Sequence, residues 1–98
     1  AEKLGLGAVA INPTIARQLG IPTDTQGVAI AAGDPNSDAA RKGIQRRDIV
    51  LSANYQDITG PQDLERIVRE AEREGRPSVV LRVQRVRGPA GYVAVRIK

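Results

Sequence analysis

Apolar residues recur along this chain with two different periods. In residues 79–84, Val79, Leu81 and Val83 alternate with Val80, Arg82 and Gln84; in 93–98, Val93, Val95 and Ile97 alternate with Ala94, Arg96 and Lys98. A period of two with arginine on one side predicts two strands, each with a buried and a wet face. Residues 87–91, RGPAG, read as the hairpin loop between them. Residues 61–74 follow the other period. Leu64, Ile67, Val68 and Ala71 fall at i, i+3, i+4 and i+7, one face of a helix. Thr59 with Gln62 predicts a capping box, Pro61 suits the first turn, and Gly75 and Pro77 stop the helix. Glu65/Arg69 and Arg66/Glu70 are expected as i,i+4 ion pairs on its wet side.

The remaining elements are shorter. Residues 4–11 predict a first strand. Asn12 is expected as the N-cap of a helix with Pro13 at its first position, an apolar face of Ile15, Ala16 and Leu19, and Gly20 at its end. Residues 27–32 predict a strand, 35–42 a short helix capped by Asn36 or Ser37 and ended by Gly43, and 48–53 a third strand. Residues 56–58 form a stub after a turn at Asn54-Tyr55. A tight two-residue hairpin needs positive φ, which tyrosine adopts reluctantly, so a looser turn with an exposed Tyr55 is expected. Mixed elements with short links predict an α+β fold: a small, bent antiparallel sheet with helices over its open ends.

Composition narrows the function. At 98 residues the chain is one domain, 1–98, with one modest core. Phe, Trp and Met are absent, so that core is built from Val, Ile, Leu and Ala. Cys and His are absent too, which removes disulfides, thiolate nucleophiles, the commonest transition-metal ligands and the general base of a Ser-His-Asp triad. Ser37, Ser52 and Ser78 have no activating partner, and the aspartates lie in caps and turns. We expect no catalytic residue, no metal and no cofactor. The net charge of +4 is spread along the chain, and two tyrosines are few for stacking bases, so no nucleic-acid partner is expected. No apolar run has transmembrane length, which predicts no direct membrane insertion. The start, AEKL, has no signal-peptide character, and the segment reads as a piece of a larger protein.

One ordered set of motifs says more. From Gly27 to Ile58 the chain reads GVAIAAGDPNSDAARKGIQRRDIVLSANYQDI, with Asp34-Pro35-Asn36-Ser37, Ala39-Ala40, Gly43-Ile44, Arg47-Asp48-Ile49-Val50 and Asn54 in sequence. This resembles the middle of a PDZ domain. The Leu4-Gly5-Leu6 start and the extra strand at the end follow a circularly permuted, bacterial strand order. Together with the helix before Gly20-Ile21-Pro22, they make the chain most similar to the second PDZ domain of HtrA/DegP-type serine proteases. The resemblance implies a PDZ-like β-sandwich or partly open barrel with capping helices, and a periplasmic location. It implies a module that binds hydrophobic C termini or extended, unfolded segments by β-strand addition for a parent serine endopeptidase.

The resemblance also assigns residues. Leu4, Gly5 and Leu6 would turn successive backbone N–H groups toward a terminal carboxylate, with the two leucines lining the pocket for the last side chain. Gly7, Ala8 and Val9, followed by Ala10, would be the free edge that pairs with ligand. The far wall would be the helix over 61–74, with Leu64 in the set, Glu65 further along the groove and Val68 closing the terminal pocket; Pro61 shares their stripe. Lys3 would attract the carboxylate at long range. Two family positions differ here: the usual Pro-Gly-Asp is Arg46-Arg47-Asp48, and the usual Asn-Gly is Asn54-Tyr55. Two other functions compete with peptide capture. One is an assembly domain docking on PDZ domains of neighbouring subunits. The other, resting on charge alone, is a nucleic-acid-binding domain.

Overall fold

The computed structural model describes residues 2–86 and 88–98. Six strands run as β1 (Leu6–Ala10), β2 (Val28–Gly33), β3 (Ile49–Ala53), β4 (Gln56–Asp57), β5 (Ser78–Gln84) and β6 (Ala90–Arg96). They form one antiparallel sheet in the order β1-β2-β3-β5-β6, with β4 hairpinned onto β3. The sheet stays open and does not close into a barrel. A 3₁₀ turn, Glu2–Leu4, precedes β1, so the strand expected over 4–11 begins two residues later. The loop expected over 87–91 includes Arg87, which lies outside the described residues, and Ala90 and Gly91 already belong to β6.

Three helices cover the sheet: α1 (Pro13–Leu19), α2 (Asp38–Arg41) and α3 (Pro61–Arg73). In α1 the Asn12 carboxamide oxygen accepts the Ile15 N–H at 2.8 Å, and Gly20, at φ +70°, ends the helix. Between the two candidate caps of α2, the structure selects Ser37. Its Oγ accepts the Ala40 N–H at 3.2 Å, while residues 35–36 form the preceding turn.

The capping box expected for α3 is replaced. Gly60 is the N-cap without a side-chain bond, and Asp63, not Gln62, reaches back to accept the Thr59 N–H at 2.8 Å and the Thr59 hydroxyl at 2.9 Å. Of the two expected helix ion pairs, Arg66–Glu70 forms at 3.1 Å; Glu65–Arg69 is not formed.

The core lies between the sheet and α3, with α2 closing one end. Leu4, Leu6, Ile30, Ile58, Leu64, Ile67, Leu81 and Val83 are all buried in it. Ile49 and Ala29 point to the opposite face of the sheet, where α1 residues lie nearby.

The turn at Asn54-Tyr55 is tight, contrary to expectation, with φ +47° and +66°. The surroundings hold it. Asn54 donates its N–H to the Val80 C=O at 2.7 Å and accepts the Val80 N–H on its side chain at 2.9 Å. Tyr55 is exposed, as expected, and its ring lies 5.6 Å from that of Tyr92.

Candidate functional site

β1 is an end strand of the sheet, and the register decides what its free edge offers. Ile30 donates its N–H to the Asp48 C=O and accepts the Arg47 N–H, so both of its polar groups face β3. Its partner across the ladder, Ala8, is therefore at a position not bonded to β2, and Ala8 directs its own N–H and C=O outward. Asp34 donates its N–H to the Gly5 C=O at 2.8 Å, which places residue 5 at a bonded position and turns the polar groups of Leu6 outward in the same way. A bulge opposite Gly7–Ala8 leaves Ala31 unpaired on β2 and keeps this alternation along β1. Leu6 and Ala8 thus present a row of unpaired donors and acceptors on the edge.

α3 packs against β1 and β5. Between the middle and C-terminal turns of α3 and the 3₁₀ turn lies a hollow of about 250 Å3, lined by Glu2, Lys3, Glu65, Val68, Arg69 and Glu72. Val68 supplies the apolar wall. Charged side chains surround it. Lys3 and Glu72 pair at 3.6 Å across the opening; no ion pair to Arg69 occurs among the described residues.

The residues expected at the site separate into three groups. Glu65 and Val68 reach the hollow. Gly7, Ala8 and Val9 lie on the edge strand β1, which packs against α3 but gives no residue to the hollow among the described residues; Val9 is exposed. Leu4, Leu6 and Leu64 do not line it: all three are buried in the core, Leu64 at 0% exposure. The expected stripe of Pro61, Glu65 and Val68 is also shifted, since the helix face toward the hollow is Glu65, Val68, Arg69 and Glu72.

Gly5 takes the left-handed conformation its role demands, φ +73°. Its N–H, however, donates to the Glu2 C=O at 3.0 Å and closes the 3₁₀ turn. The full row of converging amides expected at Leu4-Gly5-Leu6 is therefore not assembled in this conformation.

The segment behind the turn is braced. Ser37 donates its hydroxyl to the Asp34 C=O at 2.7 Å, and the Asp34 carboxylate accepts the Asn36 N–H at 2.9 Å and the Lys98 ammonium at 2.9 Å. The Lys98 bond, then the Asn36 N–H, holds the Asp34 carboxyl below the usual carboxylate range. Lys98 also gives its N–H to the Lys3 C=O at 2.8 Å, which ties the last residue to the turn.

Sequence reasoning named Lys3 but missed Glu2, Arg69 and Glu72. The helix periodicity carried the signal for two of them, because Arg69 and Glu72 follow Glu65 at i+4 and i+7. Glu2 reaches the hollow through the 3₁₀ turn, which the strand expected there conceals.

Comparison with known proteins agrees with this geometry. The chain is 38% identical over 61 residues to the probable periplasmic serine endoprotease DegP-like of Brucella suis biovar 1, covering 62% of this chain and 12% of that protein. It spans about an eighth of such relatives. The structure of the HtrA-type protease AlgW with a decapeptide superposes with a TM-score of 0.75 and 25% identity, over 96% of this chain and 28% of that one. The HtrA3 PDZ domain bound to a phage-derived ligand superposes with a TM-score of 0.67 and 24% identity, over 95% of this chain and 79% of that one. The family model described as PDZ domain matches residues 30–85, from within β2 to Arg85 just past β5. An open end strand beside a helix, this match and these neighbours lead to one assignment: the chain belongs to the PDZ domain family.

Proposed function

We propose that this chain is a non-catalytic peptide-recognition domain of a periplasmic HtrA-type serine protease, most like the second PDZ domain of such enzymes. It takes hydrophobic C termini or extended segments of unfolded protein by strand addition to β1. The observation that carries this reading is the outward row of Leu6 and Ala8 polar groups on a strand that packs against α3, the helix whose Val68 lines the hollow. A ligand strand completes those hydrogen bonds, each contributing about 0.5–1.5 kcal/mol net. Its last side chain rests on Val68, and the Lys3 ammonium attracts its carboxylate. The relatives' periplasmic designation and the decapeptide held by AlgW support the same reading.

The test is a fluorescence-anisotropy titration with a labelled peptide ending in valine, as free acid and as amide. The free acid binds more tightly, and Lys3→Gln, which removes the ammonium that attracts the carboxylate, narrows the difference. Equal affinity of the two peptides for the unaltered chain defeats the proposal.

A second reading has one observation in its favour. The only two aromatic residues of the chain, Tyr55 and Tyr92, lie against each other at the surface with their rings tilted by 44°, and are 74% and 59% exposed. Exposed tyrosine pairs suit protein contacts, and a neighbouring PDZ domain of the same assembly is the partner this reading names. Mixing the chain with the other PDZ domain of its parent protein, with and without Tyr55→Ser, decides it by sedimentation. Absence of a complex, or an unchanged complex with the variant, removes it.

A further inference from the structure

A cleft of about 620 Å3, larger than the hollow beside α3, lies on another part of the molecule. Arg46, Arg47, Asp48, Arg85 and Val86 line it. It shares Arg47, Arg85 and Val86 with an adjoining groove of about 390 Å3, whose apolar surface comes from Leu19, Ile21, Ile49 and Leu51. None of these residues touches the hollow beside α3.

Charge in the cleft is unbalanced in one direction. Among the described residues Asp48 is its only acid, and it is spent within the fold. Its carboxylate is buried and accepts the Gln45 N–H at 2.9 Å and the Val86 N–H at 3.2 Å. Arg85 lies 4.0 Å from it and donates to the carbonyls of Gly43 and Lys42, so this arginine also holds the walls. Two exposed guanidinium groups remain.

Arg47 is the more informative of the two, because it occupies a left-handed position, φ +82°. Glycine would carry no strain there. A long side chain at such a position points to a use for that side chain. It donates once, to the Gln18 C=O at 3.3 Å, which leaves most of its five N–H donors available.

We propose that this cleft is a second binding site, for an acidic protein segment bearing leucine-type side chains. An aliphatic side chain fills the groove over Leu19, Ile21, Ile49 and Leu51, and flanking carboxylates meet Arg46 and Arg47 in paired hydrogen bonds. The site stands independently of the β1 groove.

The probe is a labelled peptide of alternating Glu and Leu, acetylated and amidated so that it lacks a terminal carboxylate, with a Gln-for-Glu twin. Titrated into the 98-residue chain, the Glu peptide binds at least about tenfold more tightly than its twin, as expected for charge-assisted hydrogen bonds. Arg46→Gln weakens it severalfold and Arg47→Gly at least about tenfold. The melting temperature of Arg47→Gly is unchanged or raised, because glycine relieves the backbone, so its lost binding is not lost folding. Arg82→Gln, on β5 away from the cleft, binds as the unaltered chain does.

Several outcomes overturn the proposal. They are no binding of the Glu peptide, equal binding of its twin, and undiminished binding by Arg47→Gly and Arg46→Gln. NMR shifts centred on Val68 in place of Val86 do the same. So does tighter binding of a random oligonucleotide to these arginines, or burial of the cleft in a dimer of the chain.

Discussion

Replacing Gly5 with alanine tests the geometry of the turn most sharply. Two costs act together. The first is conformational: φ is +73°, and an L-residue in the left-handed region costs about 1–2 kcal/mol. The second is steric. A β-carbon built at Gly5 would lie 2.5 Å from Ser37 Cβ and 3.0 Å from Ser37 Oγ. Ser37 cannot step aside, because its hydroxyl donates to the Asp34 C=O and accepts the Ala40 N–H while the residue is buried. Overpacking of this kind costs about 1–3 kcal/mol. Gly5→Ala is therefore expected to destabilise by about 2–5 kcal/mol, a large share of the stability of an ordinary small domain.

Urea unfolding followed by circular dichroism measures the loss, read as a lower midpoint at constant slope. A double-mutant cycle separates the two costs. Ser37→Gly removes the obstructing carbon at a capping cost of only a few tenths of a kcal/mol. In that background Gly5→Ala retains only the conformational cost, so the cycle should show a coupling of about 1–3 kcal/mol. An equal penalty in both backgrounds would refute the contact between residue 5 and Ser37. A loss below about 1 kcal/mol would refute the left-handed turn as well.

Two further predictions concern the aspartates and the far edge of the sheet. Asp34 is held below the usual carboxylate range chiefly by the Lys98 ammonium, Asp38 chiefly by Lys42 and then the Arg96 N–H, and Asp63 by the Thr59 N–H and hydroxyl. Their folded-state values lie below the unfolded ones, so their contribution is complete above the unfolded value of about 4 and is lost as pH falls through the folded values. The melting temperature should hold from neutral pH to about 5, fall below about 4, and fall less for Lys98→Met; a rise on acidification contradicts the assignments. At the other edge, the double variant Asp38→Ala, Lys42→Ala should self-associate with rising concentration in sedimentation velocity, and a monomer at every concentration would show that these side chains do not guard β6.

The helices and the closing hairpin were legible because their signals are local and repeated. The apolar stripe of α3 and the Asn12-Pro13…Gly20 signature of α1 both survive in the structure. The turn at Asn54-Tyr55 was misread because the φ penalty of tyrosine was weighed alone. One hydrogen bond in each direction between Asn54 and Val80, and the tilted contact with Tyr92, from strands more than twenty residues away, offset a backbone cost of about 1–2 kcal/mol per residue. Only part of the candidate site was legible: Glu65 and Val68 both line the hollow, while no β1 residue does among the described residues. The rest was not. Whether Leu4 and Leu6 face a pocket or the core depends on how the 3₁₀ turn enters β1, and a three-residue turn leaves no periodicity. The use of Gly5's N–H by Glu2 depends on the same turn.

The two edges of the sheet are treated differently, and the difference bears on how a domain with an open strand avoids pairing with itself. Exposed strand edges invite association unless they are blocked. On β6, the C=O of Ala94 takes the Lys42 ammonium, and the Arg96 N–H donates to the Asp38 carboxylate at 3.0 Å. Asp38 and Lys42 also pair with each other at 2.8 Å, so a single turn of α2 occupies that half of the edge with both signs of charge. β1 has no such plug at Leu6 and Ala8. It is short, it carries a bulge opposite Gly7–Ala8, and α3 stands beside it with Glu65, Arg69 and Glu72 along the rim. A broad sheet edge from another copy meets that helix before it meets the strand, whereas a single extended chain can enter between them. One edge is thus blocked by side chains, while the other is short, bulged and flanked by a helix. On the peptide-capture reading proposed above, a lone segment adds at β1, and any assembly contact falls to the Tyr55–Tyr92 face.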